Sequence, residues 1–303
     1  MSQSPKVTLG APDTSQIVGL IGLGLIGTAL TQLLVQAGYR VFGYDTFLPA
    51  RQRFSELGGT TLSDAADVIS RCSMVLLSLP DDSVASGVLR DVEMLLRPSQ
   101  IIVDTSTGAP AGAQKMFRWL SAKGVRYVDA TISGSSVQLA KQQATLFVGA
   151  NDEDFQQLLP TFRVLAERFF HVGGPGSGAQ MKLVTNLVLG LNRAALAEGL
   201  VYAASMGLDL MQVGQMLRES MAYSRIMDTK ATKMIAKDFT VEARLSQHLK
   251  DVQLMLTDAR ETDTWLPLSE THARLLQHAV ALGFGDLDNS AIYSALLQSE
   301  IKQ

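Results

Sequence analysis

Short apolar runs alternate with longer amphipathic runs along the first part of the chain. The short runs are rich in valine, isoleucine and leucine and predict strands, whereas the longer ones have the apolar spacing and glycine ends of helices. The predicted strands span residues 17–21, 41–45, 74–79, 101–105, 127–130, 145–149 and 169–172, and the predicted helices span 24–37, 49–57, 63–70, 82–96 and 110–122. This alternation predicts a mostly parallel sheet covered by helices on both faces.

After residue 177 the alternation stops, and only helical patterns follow, over 178–205, 210–221, 231–235, 246–262, 269–282 and 290–302. The first of these helices would be roughly 42 Å long, at about 1.5 Å per residue. The predicted fold class is therefore α/β: an N-terminal Rossmann-type, doubly wound, mostly parallel sheet, then an all-α C-terminal domain joined by a long interdomain helix. We predict a flexible leader at 1–16, the sheet domain at 17–177 and the helical domain at 178–303.

The composition excludes several classes of protein. The chain has 303 residues, 47% of them hydrophobic, which is enough for two domain cores. A formal net charge of −3 offers no basic surface to nucleic acid or to an anionic membrane. No uninterrupted apolar run of about 18 residues predicts a membrane span. A lone cysteine, Cys72, allows no internal disulfide. We therefore expect a cytoplasmic protein without a nucleic-acid or membrane partner.

Three glycines form the pattern Gly-x-Gly-x-x-Gly between the first predicted strand and the first predicted helix. In a dinucleotide-binding turn the first glycine allows the tight turn, and the second lets a pyrophosphate approach the backbone. The third lets the helix pack close to the sheet. An ordinary turn between a strand and a helix is the competing interpretation. The predicted cofactor contacts of the turn are Gly22, Leu23, Gly24, Leu25, Ile26 and Gly27.

An acidic residue ends the second predicted strand. Asp45 lies 23 residues after Gly22, where dinucleotide-binding proteins carry a carboxylate that binds the ribose hydroxyls. Because this carboxylate would repel a 2′-phosphate, the residues favour NAD, with NADP as the alternative. A flavin would use a similar turn, but the predicted two-domain layout favours a nicotinamide cofactor.

Lys182 and Asn186 lie four residues apart near the start of the long predicted helix, so their side chains leave the same face. A cation beside an amide is suited to handling a substrate. A surface lysine beside a solvated asparagine has the same spacing, and the spacing alone favours that simpler interpretation.

Four stretches together resemble one family. They are GLIGLGLIGTAL at 19–30, DATISGSS at 129–136, GSGAQMKLVTN at 176–186 and LKDVQL at 249–254. In order, they are similar to the dinucleotide, substrate, catalytic and Lys-Asp-Leu motifs of the β-hydroxyacid dehydrogenases. The resemblance is to the 3-hydroxyisobutyrate dehydrogenase type, which is related to 6-phosphogluconate dehydrogenase, and it covers the chain from about Ile17 onward.

The resemblance implies a dehydrogenase that moves a hydride between NAD(H) and a β-hydroxyacid or semialdehyde, with no metal. Lys182 would be the general acid/base and Asn186 would hold the substrate. A free lysine titrates near pH 10.4, so its pKa would have to be lowered by burial and by the positive nicotinamide. The Ser133-Gly134 turn would bind the substrate carboxylate. Further cofactor contacts would come from Leu79, Pro80, Thr107 and Lys250.

Departures from the family pattern affect the substrate turn. Thr131 stands where the family usually has proline, and Ser135 where it has a second glycine. Both are therefore candidate contacts to a larger or more polar substrate. Two alternative functions stay open, an imine reductase and a dinucleotide-binding regulator without turnover, and Lys182 argues against both. An NADP-preferring semialdehyde reductase is a third alternative. The long apolar helix predicts a homodimer or homotetramer.

Overall fold

The computed structural model describes residues 17–298, so the predicted leader at 1–16 lies outside the described residues. The described residues form two compact units, divided between Lys182 and Leu183. The predicted boundary, at 177/178, falls in the first turn of the helix that runs from Ser177 to Ser205.

The first unit contains one eight-stranded sheet in the order β3-β2-β1-β4-β5-β6-β7-β8. Neighbouring strands from β3 through β6 are parallel, β6 and β7 are antiparallel, and β7 and β8 are parallel. The strands are β1 (Ile17–Ile21), β2 (Arg40–Tyr44), β3 (Thr60–Thr61), β4 (Met74–Leu77), β5 (Ile101–Asp104), β6 (Arg126–Ser133), β7 (Thr145–Gly149) and β8 (Arg168–Gly173). The prediction of a mostly parallel sheet is confirmed.

Helices cover both faces of this sheet. They are α1 (Leu25–Gln36), α2 (Leu48–Glu56), α3 (Ala65–Arg71), α4 (Asp82–Asp91), α5 (Pro110–Ser121), α6 (Ser136–Ala140) and α7 (Asp152–Leu165), with a 3-10 turn at Glu93–Leu95. The sequence pattern did not indicate β3, α6 or α7. The first two are too short to show a period, and Pro160 interrupts the helical pattern of α7.

Strand β4 shows why both faces of the sheet are apolar. Leu76 packs into one core, whereas Val75 and Leu77 pack into the other. Successive side chains of a strand point to opposite faces, so a strand that is buried on both faces must be apolar throughout. The uninterrupted apolar runs of the sequence have this origin.

The second unit is all helical and has its own core, which includes Leu200, Met234 and Leu276. Helix α8 (Ser177–Ser205) leads into it from the first unit. The other helices are α9 (Leu210–Glu219), α10 (Ile226–Ala236), α11 (Leu245–Glu261), α12 (Pro267–Ala281) and α13 (Ile292–Leu297), with a 3-10 turn at Asn289–Ala291. Helix α10 is longer than predicted, and the predicted end of the last helix lies beyond the described residues.

Within residues 17–298, α8 is the one helix with the length and hydropathy of a membrane span. The sequence contains no uninterrupted apolar run of about 18 residues because two cations, Lys182 and Arg193, lie within this helix. Both cations are buried in the protein, at 8% and 3% exposure. An apolar helix that takes part in a protein core passes the same test of length and hydropathy.

Candidate active site

Five parallel strands, β1, β2, β4, β5 and β6, end at one edge of the sheet. Ligands of doubly wound sheets bind outside the carboxyl ends of the strands. The predicted residues of the first unit follow these ends: the glycine turn after β1, Asp45 after β2, Leu79 and Pro80 after β4, Thr107 after β5, and Ser133 and Gly134 at the end of β6. The fold therefore gathers them along one edge.

The glycine turn between β1 and α1 requires two of its glycines for steric reasons. Gly22 has φ +95°, and a Cβ there would lie 2.2 Å from the Ser78 carbonyl oxygen. A Cβ at Gly27 would lie 2.1 Å from the carbonyl oxygen of Gly22, so α1 packs directly on the turn. A Cβ at Gly24 would meet nothing within 4 Å. The backbone at Gly24 is therefore open to a bound group, as a dinucleotide pyrophosphate requires.

The Asp45 carboxylate lies beside this turn. Its Oδ2 accepts a hydrogen bond of 2.7 Å from the backbone N–H of Leu23, and its Oδ1 accepts one of 2.8 Å from Phe47. These two bonds hold the carboxylate in a fixed orientation next to the second residue of the turn. A ribose-binding acid needs this kind of fixed orientation.

The loops after β4 and β5 are joined by a hydrogen bond of 3.0 Å from the Leu79 backbone N–H to the Ser106 hydroxyl. Ser106 is buried, Leu79 and Thr107 are half-buried, and Pro80 is exposed. The two predicted contact loops therefore support each other at the sheet edge.

Lys182 reaches the end of β6 from the second turn of α8. Its Nζ donates a hydrogen bond of 2.6 Å to the Ile132 carbonyl oxygen, and the residue is 8% exposed. This bond fixes the direction of a buried amine one residue before Ser133 at the strand end. An amine held in this way is suited to transfer a proton at one defined place.

A buried acid on the same strand binds the start of α8. Asp129, 2% exposed, accepts hydrogen bonds from the backbone N–H groups of Gly176 at 2.6 Å and Ala179 at 2.8 Å. Burial raises the pKa of Asp129 to about 7, although the two backbone N–H groups act in the opposite direction. Burial also raises the pKa of the neighbouring Asp104, which accepts a hydrogen bond of 3.1 Å from the Tyr127 hydroxyl.

The residues of the predicted substrate turn differ in their burial and in their hydrogen bonds to the rest of the protein. The Thr131 hydroxyl donates at 2.9 Å to the Gly178 carbonyl oxygen, and the residue is 1% exposed. Ser135 caps α6, since its hydroxyl oxygen accepts from Gln138 N–H at 3.2 Å and its own N–H donates to the Gln138 side chain at 2.8 Å. Ser133 is half-buried and Gly134 is exposed. The geometry therefore argues against Thr131 as a direct substrate contact, and part of the hydrogen-bonding capacity of the Ser135 hydroxyl is used by the cap of α6.

In the helical unit, Asn186 is 6% exposed, and its Nδ2 donates at 3.0 Å to Asp251 Oδ2. The other carboxylate oxygen of Asp251 accepts from the Gln247 side chain at 3.3 Å. Because the amide nitrogen faces the carboxylate, the orientation of the Asn186 amide is set by Asp251. Lys250 is exposed on α11 beside it, and its predicted cofactor contact stays a prediction.

Two family models of known proteins match the two parts of the chain. Residues 17–173 match the family model for the NAD binding domain of 6-phosphogluconate dehydrogenase, and residues 176–296 match that for the NAD-binding of NADP-dependent 3-hydroxyisobutyrate dehydrogenase. The first match alone covers more than half of the chain. The chain belongs to the β-hydroxyacid dehydrogenase family. It is an oxidoreductase with a nicotinamide dinucleotide, NAD(P), as its cofactor.

Individual relatives cover nearly the whole of this dehydrogenase. The chain is 29% identical to 2-hydroxy-3-oxopropionate reductase of Escherichia coli, over 92% of this chain and 96% of the relative. It is also 29% identical to 2-(hydroxymethyl)glutarate dehydrogenase of Eubacterium barkeri, over 91% and 93%. The structure of 3-hydroxyisobutyrate dehydrogenase from Salmonella typhimurium superposes with a TM-score of 0.85 at 24% identity, covering 92% of this chain and 99% of that one.

Sequence reasoning did not identify the hydrogen-bond partners of the candidate site residues in this dehydrogenase. Asp129 lies within a stretch that resembles the substrate motif, yet its contacts to α8 are 47 and 50 residues away. The Asp251 contact to Asn186 spans 65 residues. Local sequence spacing does not predict such pairs, because they depend on which strand or helix packs next to α8 in the fold.

Sequence reasoning also missed Arg193, a buried cation of the helical unit at 3% exposure. Among residues 17–298, no acceptor lies within hydrogen-bond reach of its Nε or Nη1. Burial lowers the pKa of Arg193 to about 10, against the opposing charges of Asp288 and Asp251. Burial, followed by the charge of Arg193, lowers the pKa of His272 to about 4, so this imidazole is neutral at physiological pH.

Metal binding has no support in the described part of the chain. Residues 17–298 contain no group of three or more His, Cys, Asp or Glu side chains that could hold a metal ion. The rings of two histidines, His248 and His272, are tilted by 51° with centroids 5.1 Å apart. They pack against Gly190, where a Cβ would lie 2.5 Å from His248 Nε2. Their arrangement is that of packed core side chains.

Proposed function

We propose that this dehydrogenase moves a hydride between NAD(H) and the hydroxyl-bearing carbon of a β-hydroxyacid, or the corresponding semialdehyde carbon, with Lys182 as general acid/base. The observation that carries the proposal is the buried Lys182 amine, held by the Ile132 carbonyl at the end of β6. The names of the relatives, a hydroxy-oxopropionate reductase and a hydroxymethylglutarate dehydrogenase, support a small hydroxyacid or semialdehyde as the substrate.

The chemistry assigned to Lys182 is proton transfer at its Nζ. When an alcohol is oxidised, its hydroxyl proton passes to the neutral amine as the carbonyl forms. In the reverse direction the ammonium gives that proton to the carbonyl oxygen as the alcohol forms. The nicotinamide, when bound, supplies or accepts the hydride. A positioned acid/base of this type contributes about 10²- to 10⁴-fold to the rate.

The Ser133-Gly134 turn and Asn186 are the proposed substrate-binding groups. Ser133 is half-buried directly after the carbonyl that holds Lys182, so its hydroxyl and the backbone N–H groups of the turn are suited to a carboxylate. The Asn186 amide is oriented by Asp251 and leaves its oxygen to accept from a substrate hydroxyl. Ser135 is kept as a secondary candidate.

Turnover is tested by nicotinamide absorbance at 340 nm with a panel of hydroxyacids and semialdehydes. Lys182→Met should lower kcat about 10²- to 10⁴-fold, with cofactor affinity within about threefold of the parent. The matched control is Lys115→Met, which removes an exposed lysine of α5 and should stay within twofold. If Lys182→Met keeps more than a third of the parental kcat, Lys182 is not the acid/base.

For the cofactor, we infer a preference for NAD over NADP from Asp45. Its carboxylate is held beside the glycine turn by the N–H groups of Leu23 and Phe47. A 2′-phosphate about 5 Å from this charge would lose on the order of 2 kcal/mol at an intermediate dielectric. Asp45→Asn removes the charge at nearly constant shape and should raise the NADP/NAD ratio of kcat/KM about 10- to 100-fold. A parent enzyme that prefers NADP would refute this inference.

A homodimer or homotetramer is proposed from an apolar face of α8. Val184, Val188, Tyr202 and Met206 are each more than half exposed. The first three lie on one face of α8, at spacings of four and fourteen residues, and Met206 follows directly after the helix ends at Ser205. A second copy of the chain is the proposed partner, because a twofold-symmetric interface pairs the same surface of two copies. Sedimentation should show a dimer or tetramer that Val188→Glu converts to monomer, and a monomeric parent would exclude the assembly.

A cytoplasmic location is proposed from the state of the lone cysteine. Cys72 is a free thiol with no exposed surface, and burial raises its pKa to about 11. An unpaired, buried thiol is typical of a reducing compartment, because the cysteines of proteins in oxidising compartments usually form disulfides. Cell fractionation of the tagged protein with a cytoplasmic marker tests the location.

A further inference from the structure

Strand β6 holds the first turn of α8 through a single buried side chain. Asp129 uses both carboxylate oxygens, Oδ1 toward Gly176 N–H at 2.6 Å and Oδ2 toward Ala179 N–H at 2.8 Å. These N–H groups belong to the helix start, which has no backbone acceptors of its own. A negative charge at this end is also favoured by the dipole of the 29-residue helix. The acid comes from another element, so it links the helix to the sheet.

Two further bonds connect the same strand and helix. The Thr131 hydroxyl donates to the Gly178 carbonyl at 2.9 Å, and Lys182 Nζ donates to the Ile132 carbonyl at 2.6 Å. Strand β6 ends at Ser133, the proposed carboxylate-binding residue. One rigid strand therefore sets the position of the substrate turn and of the helix that carries the proton-transfer group.

Close packing leaves little freedom in this link. A Cβ at Gly178 would lie 2.8 Å from Asp129 Oδ2, and one at Gly149 would lie 2.4 Å from Asp129 Oδ1. Asp129 is 2% exposed. Without its two bonds to α8, the first turn of that helix could shift by a fraction of an ångström. A shift of about 1 Å at a reacting group costs on the order of 10²-fold in rate.

We propose that Asp129 is a positioning residue for Lys182, because its carboxylate fixes the start of α8 against β6 and thereby sets the amine relative to the Ser133-Gly134 turn. This proposal rests on the proposed role of Lys182. Asp129 does not itself touch substrate or cofactor in it. Its ionised form is required, since both oxygens accept a backbone N–H and protonation would turn one of them into an O–H donor and a weaker acceptor.

Protonation of Asp129 should appear as a loss of activity on the acid side of the pH profile for the reduction direction. There Lys182 must be protonated, so it accounts for loss of activity on the alkaline side only. Asp129 must be ionised, and the groups facing it are Asp104, Asp82 and Tyr127 together with the first N–H groups of α8. Burial raises the pKa of Asp129 to about 7. Activity should therefore fall below about pH 7 with a single ionisation.

The test compares Asp129→Asn with Asp154→Asn. Asp154 is also 2% exposed, but its carboxylate binds Arg126, the first residue of β6, at 3.2 Å. Asp129→Asn should lower kcat about 10- to 100-fold in the reduction direction, leave KM and cofactor affinity within about threefold, and abolish the acid limb. Asp154→Asn should keep kcat within twofold and retain that limb. An acid limb unchanged in Asp129→Asn would overturn the proposal.

A double variant separates this inference from the proposed function. If Asp129 acts through Lys182, adding Asp129→Asn to Lys182→Met should change the residual rate by less than twofold. A further 10-fold loss would mean that Asp129 acts elsewhere and would overturn the proposal, while Lys182 kept its role. Turnover that survives Lys182→Met would instead remove the proposed function. If Asp129→Asn does not fold, Thr131→Val tests the same link and should lower kcat about 3- to 10-fold at unchanged KM; an unaltered kcat would count against it.

Discussion

The stability of the helical unit depends on a buried ion pair between α10 and the turn before α13, and Lys230→Met tests it. Lys230 Nζ donates to Asp288 Oδ1 at 2.8 Å and to Glu242 Oε2 at 3.1 Å. The Asp288 side chain has no exposed surface, whereas that of Glu242 is 30% exposed. Methionine keeps the apolar stem and removes the charge, so the carboxylate of Asp288 would stay buried without its cation.

The magnitude follows from the state of Asp288. Burial alone would raise its pKa, but hydrogen bonds from Lys230 and Ser290 overcome this and hold the pKa at about 2, below the usual 3.8. At about 1.36 kcal/mol per pH unit, this corresponds to roughly 2 kcal/mol of stability. Removing one partner of a buried pair costs about 3–5 kcal/mol. Four donors from the backbone and Ser290 would still bind Asp288, so we expect a loss of about 2–4 kcal/mol.

The assay is hydrogen exchange of the α10 and α13 segments, which reports the opening free energy of the helical unit. Lys233→Met is the matched control, because Lys233 pairs with the partly exposed Glu242 at 3.3 Å and should cost less than about 1 kcal/mol. The pKa of Asp288 is depressed in the fold, so its contribution is complete above pH 3.8 and is lost as the pH falls toward 2. The difference between parent and Lys230→Met should therefore shrink below pH 4. Equal losses in the two methionine variants at pH 7 would refute the reasoning.

Two further predictions concern the glycine turn and the buried arginine. Gly27→Ala would place a methyl group 2.1 Å from the Gly22 carbonyl oxygen and should lower both the Tm and the affinity for NADH. A Cβ at Gly24 would meet nothing within 4 Å, so Gly24→Ala should weaken NADH binding and keep the Tm within about 1 °C of the parent. Fluorescence titration measures the affinity, and thermal melting measures the Tm. Arg193→Met should be neutral or stabilising within about 1 kcal/mol in urea unfolding, because its Nε and Nη1 have no acceptor in the described part of the chain; a loss above about 3 kcal/mol would contradict this.

Much of the fold could be predicted because its main determinants are local. A strand buried on both faces is an apolar run, as at Met74–Leu77, and the sterically required glycines of the turn after β1 follow directly in the sequence. The missed elements lack such signals. Thr60–Thr61 is too short for a pattern, and α7 contains Pro160, which is unfavourable within a helix and is outweighed here by packing of Leu158 and Phe162 in the core.

Only those residues of the candidate site could be predicted that have a recognisable type and position in a local sequence motif. Asp45 is predicted from its residue type and its distance in sequence from the glycine turn, whereas the role of Lys182 is predicted from the family resemblance, because its spacing to Asn186 alone favours a surface lysine. Asp129, which binds the start of α8, and Asp251, which orients the Asn186 amide, make contacts across 47 to 65 residues of sequence. Their roles depend on the position of β6 next to α8 and of α11 next to the same helix, and neither position is encoded by local spacing.

The two departures from the family motif illustrate the same limit and change the expected substrate. On sequence alone, a hydroxyl at Thr131 and another at Ser135 indicate extra contacts to a polar substrate. In the fold, the Thr131 hydroxyl donates to the Gly178 carbonyl and so stabilises the start of α8. Ser135 caps the short helix that follows the turn. Because both hydroxyls bind backbone groups of this chain, they give no reason to expect a larger substrate. The proposed substrate class therefore stays a small hydroxyacid or semialdehyde.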